Sequence, residues 1–237
     1  MLKVPTGIKG LDKMLDGGIP KGRVILLCGG PGTGKTIFSL QFLASAAEKG
    51  THGLYATLEE PISSIKDNIS TFAWDIKEKE KSNNLKLVEY KPVYDEMKQK
   101  GGTDEKSIFL FTTHLFEAAK SINAQLLVID PLTSITISEQ TAGVKRRKVA
   151  ELFDRLRSSG YTTILTSETT VREGEFYMEE FLADGVIRLD KAINNFDLVR
   201  TIRIEKMRGV QHDEQPRRYV IDSAGLRVYS TEPVKST

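Results

Sequence analysis

Residues 29–36 form an octet that begins with glycine and ends with Gly34, Lys35 and Thr36. Its pattern, G-x-x-x-x-G-K-[ST], is that of a loop that binds phosphate groups. The glycines let backbone N–H groups turn towards phosphates, the lysine reaches the β- and γ-phosphates, and the threonine hydroxyl can bind Mg²⁺. The octet therefore predicts a site for a nucleoside triphosphate and a magnesium ion. The residues expected to contact the nucleotide are Gly30, Pro31, Gly32, Thr33, Gly34, Lys35, Thr36 and Ile37.

Three acidic residues lie where apolar, strand-like segments end. Asp130 closes the segment 125–130, and Glu59 and Glu60 follow the segment 52–58. A carboxylate at such a place can bind Mg²⁺ through its water shell, or orient a water molecule for attack on the γ-phosphate. Acidic residues are common at strand ends. These three indicate a nucleotide site only because the chain also contains the phosphate loop. We predict that Asp130 binds magnesium and that Glu59 or Glu60 faces the γ-phosphate.

A pair of basic residues stands near the carboxyl end of the chain. Lys206 and Arg208 are two residues apart at the end of the strand-like segment 198–206. Alternate residues of a strand point to the same side, so both cations can reach one phosphate group. Without the phosphate loop, the pair would be assigned to a solvated strand end.

These residues need elements that bring them to one place. Strand-like segments lie at 24–28, 52–58, 85–90, 125–130 and 161–166. Helical periodicity follows the loop from residue 37 and recurs at 62–72, 108–122 and 145–157. This alternation predicts an α/β fold with a mostly parallel central sheet, flanking helices, and the ligand at the carboxyl edge of the sheet. The polar stretch 91–106 is expected to be a surface loop.

The pattern changes beyond Gly185. Four strand-like segments follow without helices between them, at 186–189, 198–206, 218–221 and 226–229. They predict a C-terminal antiparallel extension of the sheet. No linker-like stretch divides the chain, so residues 1–237 are predicted to form one domain.

The composition excludes several classes of protein. The 34 Lys and Arg residues nearly balance the 32 Asp and Glu residues, so a globally basic nucleic-acid binder is not expected. No apolar run is long enough to span a membrane, and the first residues lack the plan of a signal peptide. We therefore expect a cytoplasmic protein without a membrane partner. The single cysteine, Cys28, is expected to be buried and allows no intrachain disulfide.

Further short segments along nearly the whole chain resemble the KaiC-type ATPases of the RecA superfamily. They lie at 6–12, 17–20, 58–61, 72–75, 128–130, 166–168, 184–189 and 206–209, with a histidine at 212. The length and the single phosphate loop are most similar to the one-domain archaeal KaiC-like proteins, which include paralogues of the RadA recombinase. The resemblance implies a RecA-like P-loop NTPase fold, ATP and Mg²⁺ as cofactors, and nucleotide bound between subunits of a homo-oligomeric ring, expected to be a hexamer.

The resemblance also assigns roles to individual residues. It implies that Glu59 and Glu60 supply the catalytic carboxylates, and that Lys206 and Arg208 contact the phosphates of the neighbouring subunit. Glu168 stands where RecA relatives place a sensor of the γ-phosphate, with a plain structural use as the alternative. The other residues placed near the nucleotide are Thr71 and, from the neighbouring subunit, Met207, His212, Asp222 and Ser223.

Three purposes remain open for such a site. The first is an ATPase whose nucleotide state regulates an unidentified protein partner. The second is an accessory factor of recombination and repair that binds single-stranded DNA through the loops at 133–148 and 169–181. The second of these loops contains four glutamates against one arginine, which opposes contact with phosphates. The third is a nucleotide-dependent scaffold without hydrolysis. An autokinase is not expected, because Glu180 and Phe181 stand where the circadian-clock member of the family that this chain resembles has an adjacent Ser-Thr pair that is phosphorylated.

Overall fold

The computed structural model describes residues 1–90, 104–136, 142–168, 178–194 and 197–233. Its strands are β1 (Lys3–Val4), β2 (Ile19–Pro20), β3 (Val24–Gly29), β4 (Gly53–Thr57), β5 (Leu85–Glu89), β6 (Leu126–Asp130), β7 (Thr162–Ser167), β8 (Gly185–Asn194), β9 (Asp197–Met207), β10 (Arg217–Asp222) and β11 (Gly225–Pro233). Its helices are α1 (Leu11–Met14), α2 (Lys35–Glu48), α3 (Ile62–Asn68), α4 (Ile76–Lys81), α5 (Asp104–Lys120), α6 (Thr133–Thr136), α7 (Ala142–Ser159) and α8 (Met178–Leu182).

The main sheet has the strand order β11-β10-β9-β8-β3-β7-β6-β4-β5 in the described residues. The six strands from β8 to β5 in this order run parallel to one another. The three strands from β9 to β11 continue the sheet in antiparallel pairing. Strand β3, which precedes the phosphate loop, therefore lies inside the sheet with a neighbour on each side.

The central strands are continuous apolar runs because both of their faces are covered. Successive side chains of a strand point to opposite faces, and β3 shows the consequence. Ile25 and Leu27 pack in a core with α2, whereas Leu26 and Cys28 pack in a second core with α5 and α7. A strand buried on both sides is typical of a parallel sheet between helices. Cys28 is buried, as predicted.

The parallel pairing brings the ends of the strands to one edge. Cys28 pairs with Ser167, and Thr57 pairs with Asp130. The chain therefore leaves β3, β4, β6 and β7 at neighbouring points of the carboxyl edge. The phosphate loop and the acidic residues follow these strands directly.

The antiparallel extension is attached to the helix that follows the phosphate loop. Strand β9 pairs with β8 from Met207 opposite Gly185 to Asp197 opposite Asn194. The buried side chain of Gln41 on α2 accepts a hydrogen bond from the N–H of Leu226 at 2.7 Å. It also donates to the C=O of the same residue at 3.1 Å. One amide side chain thus satisfies both backbone groups of a buried residue of β11.

The predicted α/β fold, with a mostly parallel sheet and antiparallel C-terminal strands, is confirmed. The helix predicted over 62–72 is wrong beyond Asn68. There the hydroxyl of Ser70 donates back to the C=O of Asp67, an arrangement that competes with helical hydrogen bonding. The short elements β1, β2, α1 and α4 were not predicted, because two to six residues show little periodicity.

The predicted surface loop 91–106 lies mainly outside the described residues. Its last residues, 104–106, belong to α5, so the loop prediction is wrong there. The assignment of residues 1–237 to one domain stays a prediction. Of the helices that the structure describes, none combines the length and apolar character needed to cross a membrane.

Replacing Gln41 with leucine should destabilise the protein. The variant keeps a side chain of similar size but leaves the N–H and C=O of Leu226 without partners, and each buried unsatisfied group costs about 1–3 kcal/mol. We expect the free energy of unfolding to fall by about 2 kcal/mol or more. Urea denaturation followed by circular dichroism measures the change.

Gln211→Leu is the matched control, because Gln211 is exposed and a surface change of this kind alters stability by less than about 0.5 kcal/mol. Equal stabilities of the two variants would show that the amide of Gln41 does not stabilise the extension.

Candidate nucleotide site

The phosphate loop joins the end of β3 to the start of α2. Gly32 and Gly34 have φ angles of 72° and 97°, in the left-handed region that favours glycine. The ammonium group of Lys35 donates to the C=O of Gly29 at 2.8 Å and of Gly30 at 3.2 Å. Burial lowers the pKa of Lys35, and the charge of Glu168 opposes this shift. The lysine is therefore folded back over the loop, within reach of any anion that binds there.

Asp130 accepts hydrogen bonds from three hydroxyl groups on three different elements. The Thr36 hydroxyl donates to Oδ2 at 2.9 Å, the Tyr55 hydroxyl donates to the same oxygen, and the Thr166 hydroxyl donates to Oδ1. These bonds fix the carboxylate beside Thr36. A threonine hydroxyl and a carboxylate are hard oxygen ligands that suit Mg²⁺, which keeps several of its waters and binds few protein groups.

The two adjacent glutamates have different partners. The carboxylate of Glu59 accepts a hydrogen bond from Ser134 on α6. The carboxylate of Glu60 accepts bonds from Ser64 and Asn68, both at 2.8 Å, on α3. Glu59 is therefore tied to the segment that follows Asp130, whereas Glu60 is tied to the helix that follows its own strand.

These groups line one cavity of about 450 Å³ at the carboxyl edge of the sheet. Glu168, which follows β7, lies in its wall with a carboxylate oxygen 4.0 Å from Nζ of Lys35. The cavity is lined by Pro31, Gly32, Gly34, Lys35, Thr36, Ile37, Tyr55, Thr57, Glu59, Glu60, Ile65, Asn68, Ile69, Asp130, Pro131 and Glu168. The predicted loop residues and the acids from three other strand ends thus meet in one place.

Comparison with known proteins identifies the family. A family model described as "ATPase: KaiC" matches residues 4–233. The chain belongs to the KaiC-type ATPase family. A UPF0273 protein of Aeropyrum pernix is 35% identical, covering 98% of this chain and 96% of that protein. A crystal structure of a KaiC-like protein from Pyrococcus horikoshii has a TM-score of 0.83 and 34% identity, covering 96% of this chain and 99% of that one.

The circadian members of the KaiC family are longer than this chain. The circadian clock protein KaiC2 of Synechocystis is 29% identical, and the match covers 96% of this chain but 40% of that protein. This KaiC-type chain therefore spans less than half of the clock protein, whereas it matches the UPF0273 and KaiC-like relatives over nearly their whole length.

Lys206 and Arg208 lie at the opposite edge of the sheet from the phosphate loop. Lys206 pairs with Val186, which pairs with Leu26, so Lys206 is level with a point three residues, about 10 Å, before the end of β3, and Arg208 lies farther still from the loop. Within the chain Lys206 donates to the C=O of Glu180 at 2.6 Å, and Arg208 donates to the C=O of Phe181 at 3.1 Å. Neither cation can reach the phosphate loop of its own chain, so a contact with a neighbour's nucleotide stays a prediction.

The other residues predicted near the nucleotide have different surroundings. The Met207 side chain is buried in the core of its own chain, and its predicted place near a neighbour's nucleotide stays a prediction. Nδ1 of His212 lies 3.2 Å from the C=O of Val210. Thr71 is exposed beyond α3 and is not among the described residues that line the cavity.

Asp222 is the last residue of β10, and Ser223 begins the turn to β11. Asp222 pairs with Arg227 at 3.0 Å. The preceding residue, Ile221, packs on Gly34, where its Cδ1 lies 2.6 Å from the position of an added Cβ. The turn is therefore close to the phosphate loop of its own chain, and the predicted contact from a neighbouring subunit stays untested.

Residues 169–177 of the loop predicted at 169–181 lie outside the described residues. Its last residues form α8, and the two glutamates counted there have partners inside the chain. Glu179 and Glu180 are buried and pair with Lys145 at 3.2 Å and with Arg188 at 2.6 Å. They are structural ion pairs and do not repel a ligand as free charges would.

Sequence reasoning missed the hydroxyl groups around Asp130 and Glu59. Tyr55, Thr166 and Ser134 are all in contact with a predicted site residue. The available signal was the presence of Tyr55 and Thr166 inside apolar strands, because a buried hydroxyl needs a partner. The identity of that partner depends on the order of the strands, which the sequence does not state.

Replacing Tyr55 with phenylalanine should change stability at alkaline pH. Burial raises the pKa of Tyr55 well above its usual value, and the charge of Asp130 adds to the shift. Above about pH 10 the unfolded chain loses the phenol proton and the folded chain keeps it, so stability falls as pH rises. Tyr55→Phe should remove about 1.4 kcal/mol of this loss per pH unit.

Urea denaturation at several pH values from 9 to 11 measures the slope for the parent and the variant. Between pH 6 and 8 both states keep the phenol protonated, so the two proteins should show the same pH dependence. An alkaline slope that is the same in the variant would contradict the raised pKa.

Proposed function

We propose that this protein is a Mg²⁺-dependent ATPase that binds ATP over residues 30–36 and hydrolyses it to ADP and phosphate. The convergence of the phosphate loop, Asp130, Glu59 and Glu60 on one cavity is the observation that best supports the proposal. We further propose that the nucleotide lies at the boundary between subunits of a homo-oligomeric ring, with six subunits as the expected number.

The residues of the chain suggest a mechanism based on positioning and charge. The N–H groups of the loop and the ammonium group of Lys35 bind and orient the phosphates. Thr36 and Asp130 would bind Mg²⁺, which supplies positive charge next to the transferred phosphoryl group. A carboxylate at the cavity wall orients a water molecule in line with the bond that breaks.

We assign the water-orienting role to Glu59. The Glu60 carboxylate oxygen Oε1 already accepts two hydrogen bonds from α3, so that side chain is held against the helix. Among the residues that the structure describes, Glu59 has one side-chain hydrogen-bond partner, Ser134, which lies four residues beyond Asp130. Glu59 is therefore tied to the segment that follows Asp130, the proposed magnesium ligand. Its carboxylate can also accept more additional hydrogen bonds from the cavity than that of Glu60.

Lys206 and Arg208 would complete the site of the next subunit. Burial lowers the pKa of Lys206, with the neighbouring charge of Arg208 as a further cause. An anion bound close to Lys206 and Arg208 would favour their charged forms and so oppose the lowering of the pKa of Lys206. The Arg208 side chain is 52% exposed, so it is accessible to another chain.

We propose a protein partner, rather than single-stranded DNA, as the target of the nucleotide state. Two of the four basic residues at 145–148 already have structural roles inside the chain. Lys145 pairs with the buried Glu179, and Lys148 is buried. The described part of this segment is therefore not a free basic surface of the kind that contacts a phosphate backbone.

Single substitutions should separate the two glutamates. Because Glu59 is proposed to orient the water, Glu59→Gln should lower the rate of ATP hydrolysis by about 100-fold or more. Glu60→Gln should lower it by less than about tenfold, because it acts through the position of α3. Phosphate release at saturating ATP gives the rates, and equilibrium binding of ADP shows that the site still forms.

Glu117→Gln is the matched control, because Glu117 is exposed on α5, away from the cavity-lining residues. Parental hydrolysis by the double variant Glu59→Gln and Glu60→Gln, with nucleotide binding intact, would show that neither carboxylate takes part.

Mixing two inactive variants tests the contribution from the neighbouring subunit. Lys35→Ala removes a residue that acts in its own site, and Arg208→Ala removes one that is proposed to act in the next site. In mixed rings about a quarter of the sites would combine an intact Lys35 with an intact Arg208 from the neighbour. We expect hydrolysis to recover to about a quarter of the parental rate per site, measured after subunit exchange.

The control mixture is Lys35→Ala with Glu59→Gln, whose members act in the same site and should not restore each other. Light scattering with and without ATP gives the number of subunits. Full activity from a monomer would exclude the proposed role of Arg208.

A further inference from the structure

Strand β8 and the antiparallel extension contact three consecutive positions of the phosphate loop. Nζ of Lys191 on β8 lies 3.0 Å from the position of a Cβ added to Gly32. The hydroxyl of Tyr219 on β10 donates to the C=O of Thr33 at 2.5 Å. Ile221 on β10 packs on Gly34. The outer side of the loop is thus covered by strands that follow it by more than 150 residues.

The bond from Tyr219 determines the direction of a neighbouring amide group. The C=O of Thr33 and the N–H of Gly34 belong to one planar trans peptide, so they point in opposite directions. A carbonyl fixed outwards on Tyr219 therefore requires the Gly34 N–H to point away from the extension, towards the ligand side of the loop. That N–H is one of the groups with which a loop of this pattern binds phosphate.

We infer that Tyr219 is a positioning residue of the phosphate loop, which raises nucleotide affinity by aiming the Gly34 N–H at the phosphates. The inference rests on the proposed function, since it concerns binding of ATP or ADP at that loop. Tyr219 does not touch the nucleotide and acts only through the Thr33 peptide.

The surroundings of Tyr219 suit this role. Its side chain is 1% exposed and packs in the core with α2, and β10 pairs it with Val228 of β11. Burial raises the pKa of Tyr219 above its usual value, so its hydroxyl remains a donor at neutral pH. Thr33 is also buried, and without Tyr219 its C=O would have no access to water.

The loop itself has few internal constraints. Gly32 and Gly34 flank Thr33 and can adopt many backbone conformations. The described bonds within the loop run from the Thr33 hydroxyl to the C=O of Gly30 at 2.9 Å and from Lys35 to the C=O groups of Gly29 and Gly30, and none of them involves the Thr33–Gly34 peptide. An anchor from outside the loop reduces the conformational freedom that binding would otherwise remove.

Tyr219→Phe tests the inference, because it keeps the buried ring and removes only the hydroxyl. We expect the dissociation constants for ADP and for a slowly hydrolysed ATP analogue to rise about five- to tenfold, measured by isothermal titration calorimetry. The KM for ATP should rise by a similar factor, while kcat changes less than about twofold, because the bound nucleotide restores the loop.

The matched control is Tyr229→Phe, which removes a hydroxyl from the next strand, where the ring lies beside Arg227. Its dissociation constants should equal those of the parent. A purely structural role would lower the thermal stability of the nucleotide-free Tyr219→Phe protein and leave the dissociation constants unchanged, which would overturn the inference.

The experiment also separates this inference from the proposed function. If the parent binds ADP and the ATP analogue but the Tyr219→Phe protein binds them equally well, the inference alone is wrong. If the parent binds neither nucleotide in the presence of Mg²⁺, the proposed function is wrong and the inference falls with it.

Discussion

A phosphate loop must point several backbone N–H groups at one anion, and the carbonyl groups of the same peptides must then find partners elsewhere. This constraint explains much of the architecture around residues 29–36. Gly29 and Gly30 direct their C=O groups to Lys35, and Thr33 directs its C=O to Tyr219. Buried carbonyls without partners would destabilise the loop. A loop of this kind therefore needs neighbours on its outer side as well as a ligand on its inner side.

Charge is the second constraint on the site. Among the described residues that line the cavity, Lys35 is the only cation, whereas Asp130, Glu59, Glu60 and Glu168 are acidic. A triphosphate would add further negative charge. Three hydroxyl groups stabilise the Asp130 carboxylate, but they carry no charge. The described lining of the cavity thus carries little positive charge for the ligand that the loop predicts, which supports the proposals that Mg²⁺ and cations from a second subunit complete the site.

The sequence predicted the features that depend on local pattern. The octet specifies the loop, and continuous apolar runs such as β6 specify buried parallel strands whose ends meet at one edge. It did not predict contacts between distant segments. Tyr219 and Thr33 are 186 residues apart, and their meeting depends on the strand order β9-β8-β3, which alternation of apolar residues does not encode. The burial of Glu179 was missed for the same reason, since its partner Lys145 lies on another helix.

The antiparallel extension carries both the proposed neighbour-facing cations and the residue that anchors the phosphate loop. Strand β9 is paired with β8 along nearly its whole length, and it places Lys206 at one edge of the sheet. On its other edge β9 pairs with β10, the strand that contains Tyr219. There Ile202 lies opposite Arg217. The pairing of β8, β9 and β10 thus links the strand that ends at the proposed neighbour-facing cations to the strand that anchors the chain's own loop. The extension therefore supports the phosphate loop from its outer side, although none of its described residues lines the cavity.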